Sequence, residues 1–207
     1  MSEHLYTYGV VDDDEFELAI EGVDDGTPIR TVSYRSLTAI VSDIDTLEPE
    51  RSDENVRRHD DVLREVIESA DGRTVVPMQF GMVFKSGRTL KSVLRSGRRA
   101  FRKALLDVDG MVELGVKIVV DEGATVDDDT VADIAERLAA AAERDVENDL
   151  FSDRLCMNRS YLVAYDDQEA FSEAVQAVRD DYEDLTVQYS GPWAPYNFVD
   201  IQIGAAQ

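Results

Sequence analysis

The chain has 207 residues, with 44 Asp plus Glu against 21 Lys plus Arg, a formal charge of −23, and 43% hydrophobic residues. That apolar share is enough to bury a core, so the acidity decorates a folded chain and excludes disorder, and a field of this sign opposes binding to phosphate. The single cysteine, Cys156, excludes an intramolecular disulfide and a cysteine-based zinc site.

Only Lys85, Lys91, Lys103 and Lys117 are lysines. An acidic, lysine-poor surface suits a salt-filled cytoplasm, where self-repulsion is screened, and the composition predicts a halophilic source. Circular dichroism is expected to show loss of structure as KCl is removed, and a fold indifferent to salt would overturn that reading. Met1 to Gly9 has no basic region followed by an apolar run, and no stretch approaches the ~18 apolar residues of a membrane span. The expected location is cytoplasmic, with Cys156 a small buried apolar side chain.

The elements read in order as follows. Leu5 to Val11 predicts a strand, the acidic Asp12 to Glu21 a short helix, and Asp24-Asp25-Gly26 a turn. Ile29 to Tyr34 and Leu37 to Ile44 predict a hairpin closed by Arg35-Ser36. Ser52 is a candidate cap for a helix whose apolar positions are Val56, His59, Leu63, Val66 and Ala70, ended by Asp71-Gly72. Two extended pieces follow around Pro77, then one helix from about Arg88 to Asp107. The order β-α-β-β-α-β-α is close to a ferredoxin-like sandwich with an added helix.

A domain boundary near Asp109 gives an N-terminal domain of residues 1–108 and a C-terminal domain of residues 109–207. The second begins with a strand from Val112 to Val120. Asp127 to Asp129 then start a long helix whose buried stripe is Val131, Ile134, Leu138, Ala142 and Val146. Tyr161 to Tyr165 predicts a strand, Phe171 to Tyr182 a helix, and Leu185, Val187 and Tyr189 another strand. Val199, Ile201 and Ile203 alternate as a last strand at a sheet edge. The fold class is α+β, with two ferredoxin-like domains.

Before that last strand, Gly191 to Phe198 holds the only Trp and two of the five Pro in the chain. Two prolines three apart fix φ and remove backbone donors, so the segment predicts a stiff aromatic corner. It either seals a core or offers Trp193, Tyr196 and Phe198 to a partner.

Signatures of catalysis are missing: there is no nucleophile elbow, phosphate-binding loop, dinucleotide fingerprint or His-Glu-x-x-His. His59, beside Asp60 and Asp61, is the one candidate general base, but it falls on the apolar face of its helix and predicts a packed, hydrogen-bonded histidine. His4 has no recognisable partner. Asp12 to Asp14 and Asp127 to Asp129 lack the spacing of a calcium loop and predict no metal site.

The opposite sign is more informative. Lys85, Arg88, Lys91, Arg95, Arg98, Arg99, Arg102 and Lys103 fall together, and Arg88, Lys91, Arg95, Arg98 and Arg102 step by three or four. They predict one basic helix face opposite Leu90, Leu94, Gly97, Phe101 and Leu105. Either the acidic surface of the second domain neutralises the stripe or an acidic protein partner meets it, whereas nucleic acid lacks an accompanying motif.

Three words resemble a known family: Leu5-Tyr6-Thr7-Tyr8-Gly9-Val10, then His59 followed by Val75-Val76-Pro77-Met78-Gln79-Phe80-Gly81-Met82-Val83-Phe84, and Gly191-Pro192-Trp193-Ala194-Pro195-Tyr196-Asn197-Phe198-Val199. In order and separation they are similar to the gas vesicle protein GvpF/GvpL family, with Gln79 where the family often has Arg and Ala194 where it often has Pro. The short length and lack of a long acidic insertion point to the F branch.

The resemblance implies a two-domain, non-enzymatic accessory protein of gas vesicle formation, without cofactor. Its implied partners are the hydrophobic shell protein and other accessory proteins, and it associates with the vesicle. Two alternatives stand beside this: a minor component of the vesicle shell, and a ferredoxin-like small-molecule enzyme using His59.

Overall fold

Leu5 to Val11 carries large or β-branched side chains at most positions rather than alternate ones, as a strand covered on both faces does. In the computed structural model, which describes residues 4–12, 15–70 and 72–201, all seven are buried in the central strand β1 (His4–Asp12). β1 pairs antiparallel with β4 (Leu37–Ile44) on one side and with the short β5 (Val76–Pro77) and β6 (Val83–Phe84) on the other. β3 (Pro28–Tyr34) and β2 (Leu18–Glu21) complete a six-stranded sheet of order β2-β3-β4-β1-β5. Arg35 closes the β3–β4 turn with φ 56°.

β2 replaces the helix expected in the acidic segment. Leu18 and Ile20 are half-buried and alternate with exposed Ala19 and Glu21, a period of two that pairs with β3 instead of presenting a helical stripe. With β2 set aside, the order β3-β4-β1-β5 is that of a β-α-β-β-α-β sheet whose first helix has been exchanged for an edge strand. Asp13, Asp14 and Asp71 of the sequence reading lie outside the described residues.

α1 (Asp53–Glu68) begins where Ser52 Oγ accepts from the Asn55 amide at 3.2 Å. The expected helix over 88–107 is two helices, α2 (Gly87–Ser96) and α3 (Arg98–Asp107), broken at Gly97, whose φ of −86° and ψ of 1° leave the helical region. Glycine is the weakest helix former in the segment. A Cβ here would also meet the Phe101 ring at 2.9 Å, so the break lets that ring close over the turn. Leu90, Leu94, Phe101 and Leu105 join Leu5, Val10, Val41 and Phe84 in one core.

Contacts divide the chain into two units, Met1–Asp109 with Ala194–Gln207, and Gly110–Trp193. The aromatic tail, expected in the C-terminal domain, therefore belongs from Ala194 onward to the first unit. Its residues Val199 to Ile201 form no strand and follow a short 3-10 turn at Tyr196–Phe198. Gln202 and Ile203 of the expected last strand lie outside the described residues.

The second unit gains one strand, Arg144–Glu147, where the expected long helix would have continued. β7 (Met111–Val119), α4 (Asp128–Ala139), β8 (Arg144–Glu147), β9 (Leu155–Ala164), α5 (Gln168–Asp181) and β10 (Thr186–Trp193) form a β-α-β-β-α-β unit with antiparallel order β10-β7-β9-β8. Asp127 caps α4 by accepting from the Thr130 amide at 2.8 Å. The long helix through Val146 is not formed: α4 stops at Ala139, and Val146 lies in β8, where Arg159 on the neighbouring strand ion-pairs with Asp145 and Glu147. Such cross-strand pairs favour a strand over further helix. Cys156, expected to be buried, is half-buried.

Candidate functional site

Two rings on β1 and one on α1 build a buried, hydrogen-bonded cluster in the first unit. Tyr6 and Tyr8 project to one face of β1, and burial obliges each hydroxyl to find a partner. Tyr8 Oη accepts from the Val23 amide at 2.9 Å and bonds Ser42 Oγ at 2.9 Å. Tyr6 Oη lies 2.8 Å from His59 Nδ1 and accepts from the Gly81 amide at 3.2 Å, while His59 Nε2 lies 3.1 Å from the Met78 carbonyl.

A carbonyl accepts only, so Nε2 must donate to Met78, and Nδ1 of the neutral ring accepts from Tyr6. The chain runs Gly81 N–H to Tyr6, Tyr6 O–H to His59, His59 N–H to Met78. It ties the 78–81 loop to β1 and α1, assisted by the backbone bonds Met78 N to Tyr8 O at 2.8 Å and Thr7 N to Met82 O at 2.9 Å.

His59 is only 2% exposed. Burial lowers its pKa from 6.5 to about 4, against a smaller opposing effect of the Met78 carbonyl, and burial pushes the Tyr6 hydroxyl well above its ordinary range. The ring is therefore neutral near pH 7, with both nitrogens committed to the protein. A general base needs a free nitrogen within reach of a substrate proton, and this one has none.

The words behind the family resemblance meet at this point. His59 packs against Tyr8, Phe80 and Tyr196 with ring centroids 5.3, 6.0 and 6.4 Å away. Tyr196 donates to Asp60 Oδ1 at 3.2 Å. Ala194 and Pro195 are buried and Phe198 is half-buried. In the second unit, the indole N–H of half-buried Trp193 donates to Ser190 Oγ at 3.2 Å. Tyr196 is thus engaged within the first unit and Trp193 within the second.

The basic residues divide at Gly97. Arg88, Lys91 and Arg95 are exposed on α2, opposite buried Leu90, Val93 and Leu94. They line an open groove of about 990 Å³ with Arg30, Val32 and Tyr34 of β3 and with Leu5 of β1. Arg30, not singled out by the sequence, joins them because residues 30, 32 and 34 share one face of β3. The Asp43 carboxylate lies 2.6 Å from Arg30 Nη2. Arg98, Arg99 and Arg102 lie on α3 and do not line the groove. Within the 85–103 set, Lys103 alone is ion-paired among the described residues, to Asp107.

Among the described residues no cluster of His, Cys, Asp and Glu could hold a metal ion, and no helix is long and apolar enough to cross a membrane.

The family model described as gas vesicle synthesis protein GvpL/GvpF matches residues 4–131 and 124–200. Gas vesicle protein F of Haloferax mediterranei is 56% identical over 209 residues, covering 100% of this chain and 98% of that protein. Gas vesicle protein F1 of Halobacterium salinarum is 51% identical over 208 residues, with 100% and 98% covered. The crystal structure of GvpF from Anabaena has a TM-score of 0.83 at 21% identity, covering 96% of this chain and 97% of that one. GvpF from Microcystis aeruginosa has a TM-score of 0.83 at 18% identity, covering 96% and 100%. These structures share the fold, and the haloarchaeal relatives agree with the halophilic composition.

Proposed function

Because the chain belongs to the gas vesicle synthesis protein GvpL/GvpF family, we propose that it is a non-enzymatic accessory factor that binds the hydrophobic shell protein, and other accessory proteins, and keeps the shell protein soluble until it is assembled. The family match along nearly the whole chain carries this reading.

The physical support is a match of needs. A subunit that polymerises through apolar, strand-rich faces aggregates through the same faces before assembly. A carrier with a charge of −23 keeps a complex dispersed. β10 ends its sheet and is paired only with β7 among the described residues, which leaves an edge where a partner strand can add. The site of action proposed is the growing gas vesicle in the cytoplasm.

Light scattering of the shell protein in molar KCl, with and without an equimolar amount of this chain, tests the idea. Scattering is expected to be suppressed, and an unchanged aggregation curve would reject it. Recovery of the chain from vesicles washed in high salt would instead favour a minor shell component.

A further inference from the structure

We propose that the groove between α2 and β3 is a docking site for a carboxylate-bearing segment of a partner protein. Its rim carries four cations, Arg30, Arg88, Lys91 and Arg95, against one lining carboxylate, Asp43, which is already bound to Arg30. In a chain where acidic residues outnumber basic ones 44 to 21, Arg88, Lys91 and Arg95 nonetheless have no ion pair among the described residues. The helix end adds to their field. α1 and α4 start with acidic residues, Asp53 and Glu54, and Asp128 and Asp129, that offset the positive end of the helix dipole. α2 has none in its first turn and carries Arg88 there.

The floor decides the kind of occupant. Leu5, Val32 and Tyr34 place apolar surface beneath the cations. In concentrated salt a purely ionic contact is screened, whereas apolar burial is not. An occupant that holds there alternates carboxylates with apolar side chains, as a protein segment can. A nucleic acid would depend on phosphate contacts, whose affinity falls steeply with salt. The proposal stands on this groove alone and does not require that the shell protein be the partner.

The test uses the full chain and fluorescein-labelled peptides of about 15 residues, one repeating Glu-Glu-Leu and one repeating Gln-Gln-Leu, read by anisotropy at about 0.5 and 3 M KCl. A labelled oligothymidine of similar length is the third probe. The Glu peptide is expected to bind, to survive the higher salt, and to be weakened about tenfold or more by Arg88→Glu/Lys91→Glu/Arg95→Glu but less than about threefold by Arg99→Glu/Lys103→Glu. All five side chains are exposed, and circular dichroism checks that the variants fold. Failure of the Glu peptide to bind the unaltered chain, equal weakening by both variants, or preference for the Gln peptide or the oligonucleotide would overturn the proposal. So would self-association of the chain in sedimentation that the groove variant abolishes, since the occupant would then be a second copy.

Discussion

His59→Ala is expected to lower the unfolding free energy by about 4 kcal/mol, at the upper end for a buried polar side chain, because a cavity and two stranded partners are created together. The Met78 carbonyl loses its donor and the Tyr6 hydroxyl its acceptor, both inside the core. Tyr6→Phe is expected to cost less, about 2 kcal/mol, since it strands the Gly81 amide and His59 Nδ1 without removing much volume. Urea unfolding of both variants in concentrated KCl measures these differences. Equal stability of His59→Ala and the unaltered chain would show that the cluster does not hold the 78–81 loop.

The same histidine sets a pH dependence. Its pKa in the folded chain is about 4, below its ordinary 6.5, so folding disfavours its protonation. The associated stability is fully present above about pH 6.5 and is lost as pH falls toward 4, at most about 3 kcal/mol for a single group. His59→Gln, which keeps an amide donor, is expected to lack that part of the slope. Asp60 acts in the opposite sense: burial raises its carboxyl pKa despite the Tyr196 hydrogen bond. It is present in both proteins, so the difference between their unfolding curves across pH 6.5 to 4 isolates His59.

How much of this was legible in the sequence depends on whether the partner groups were side chains. The period of the helix containing His59 already placed the ring on a buried face, and hydroxyl-bearing rings on a buried strand announce that they need partners. Those partners include the Met78 carbonyl and the Gly81 amide, backbone groups that no residue type advertises. The halves of the basic cluster were equally visible as charges. What separated them was Gly97, read as one small residue on an apolar stripe although it ends one helix and begins another.

Arg30 was hidden for a different reason, since a strand residue joins a helix face only through the tertiary fold. The acidic segment that contains β2, and residues 144–147 after the alanine-rich end of α4, were both expected to be helical. In each, a neighbouring strand edge supplied backbone pairing that propensity does not count.

Phe101→Ala is expected to destabilise the chain by about 4 kcal/mol, because a large ring that is fully enclosed leaves a space the surroundings fill only in part. Phe101 is 1% exposed. It packs among Leu5, Leu90, Leu94 and Met78, and it borders a cavity of about 230 Å³ shared with Met82, Val199 and Ile201. Truncation would remove a large ring from among packed core side chains, which argues for the upper part of the usual range. Gly97→Ala provides the contrast. The new methyl would lie 2.9 Å from the ring, but it also gains helix propensity, so a net loss of about 1 kcal/mol is expected. If Phe101→Ala cost no more than Gly97→Ala in urea unfolding, the break between α2 and α3 would not be held by this ring. The orientation of Arg88, Lys91 and Arg95 over β3 would then need another cause.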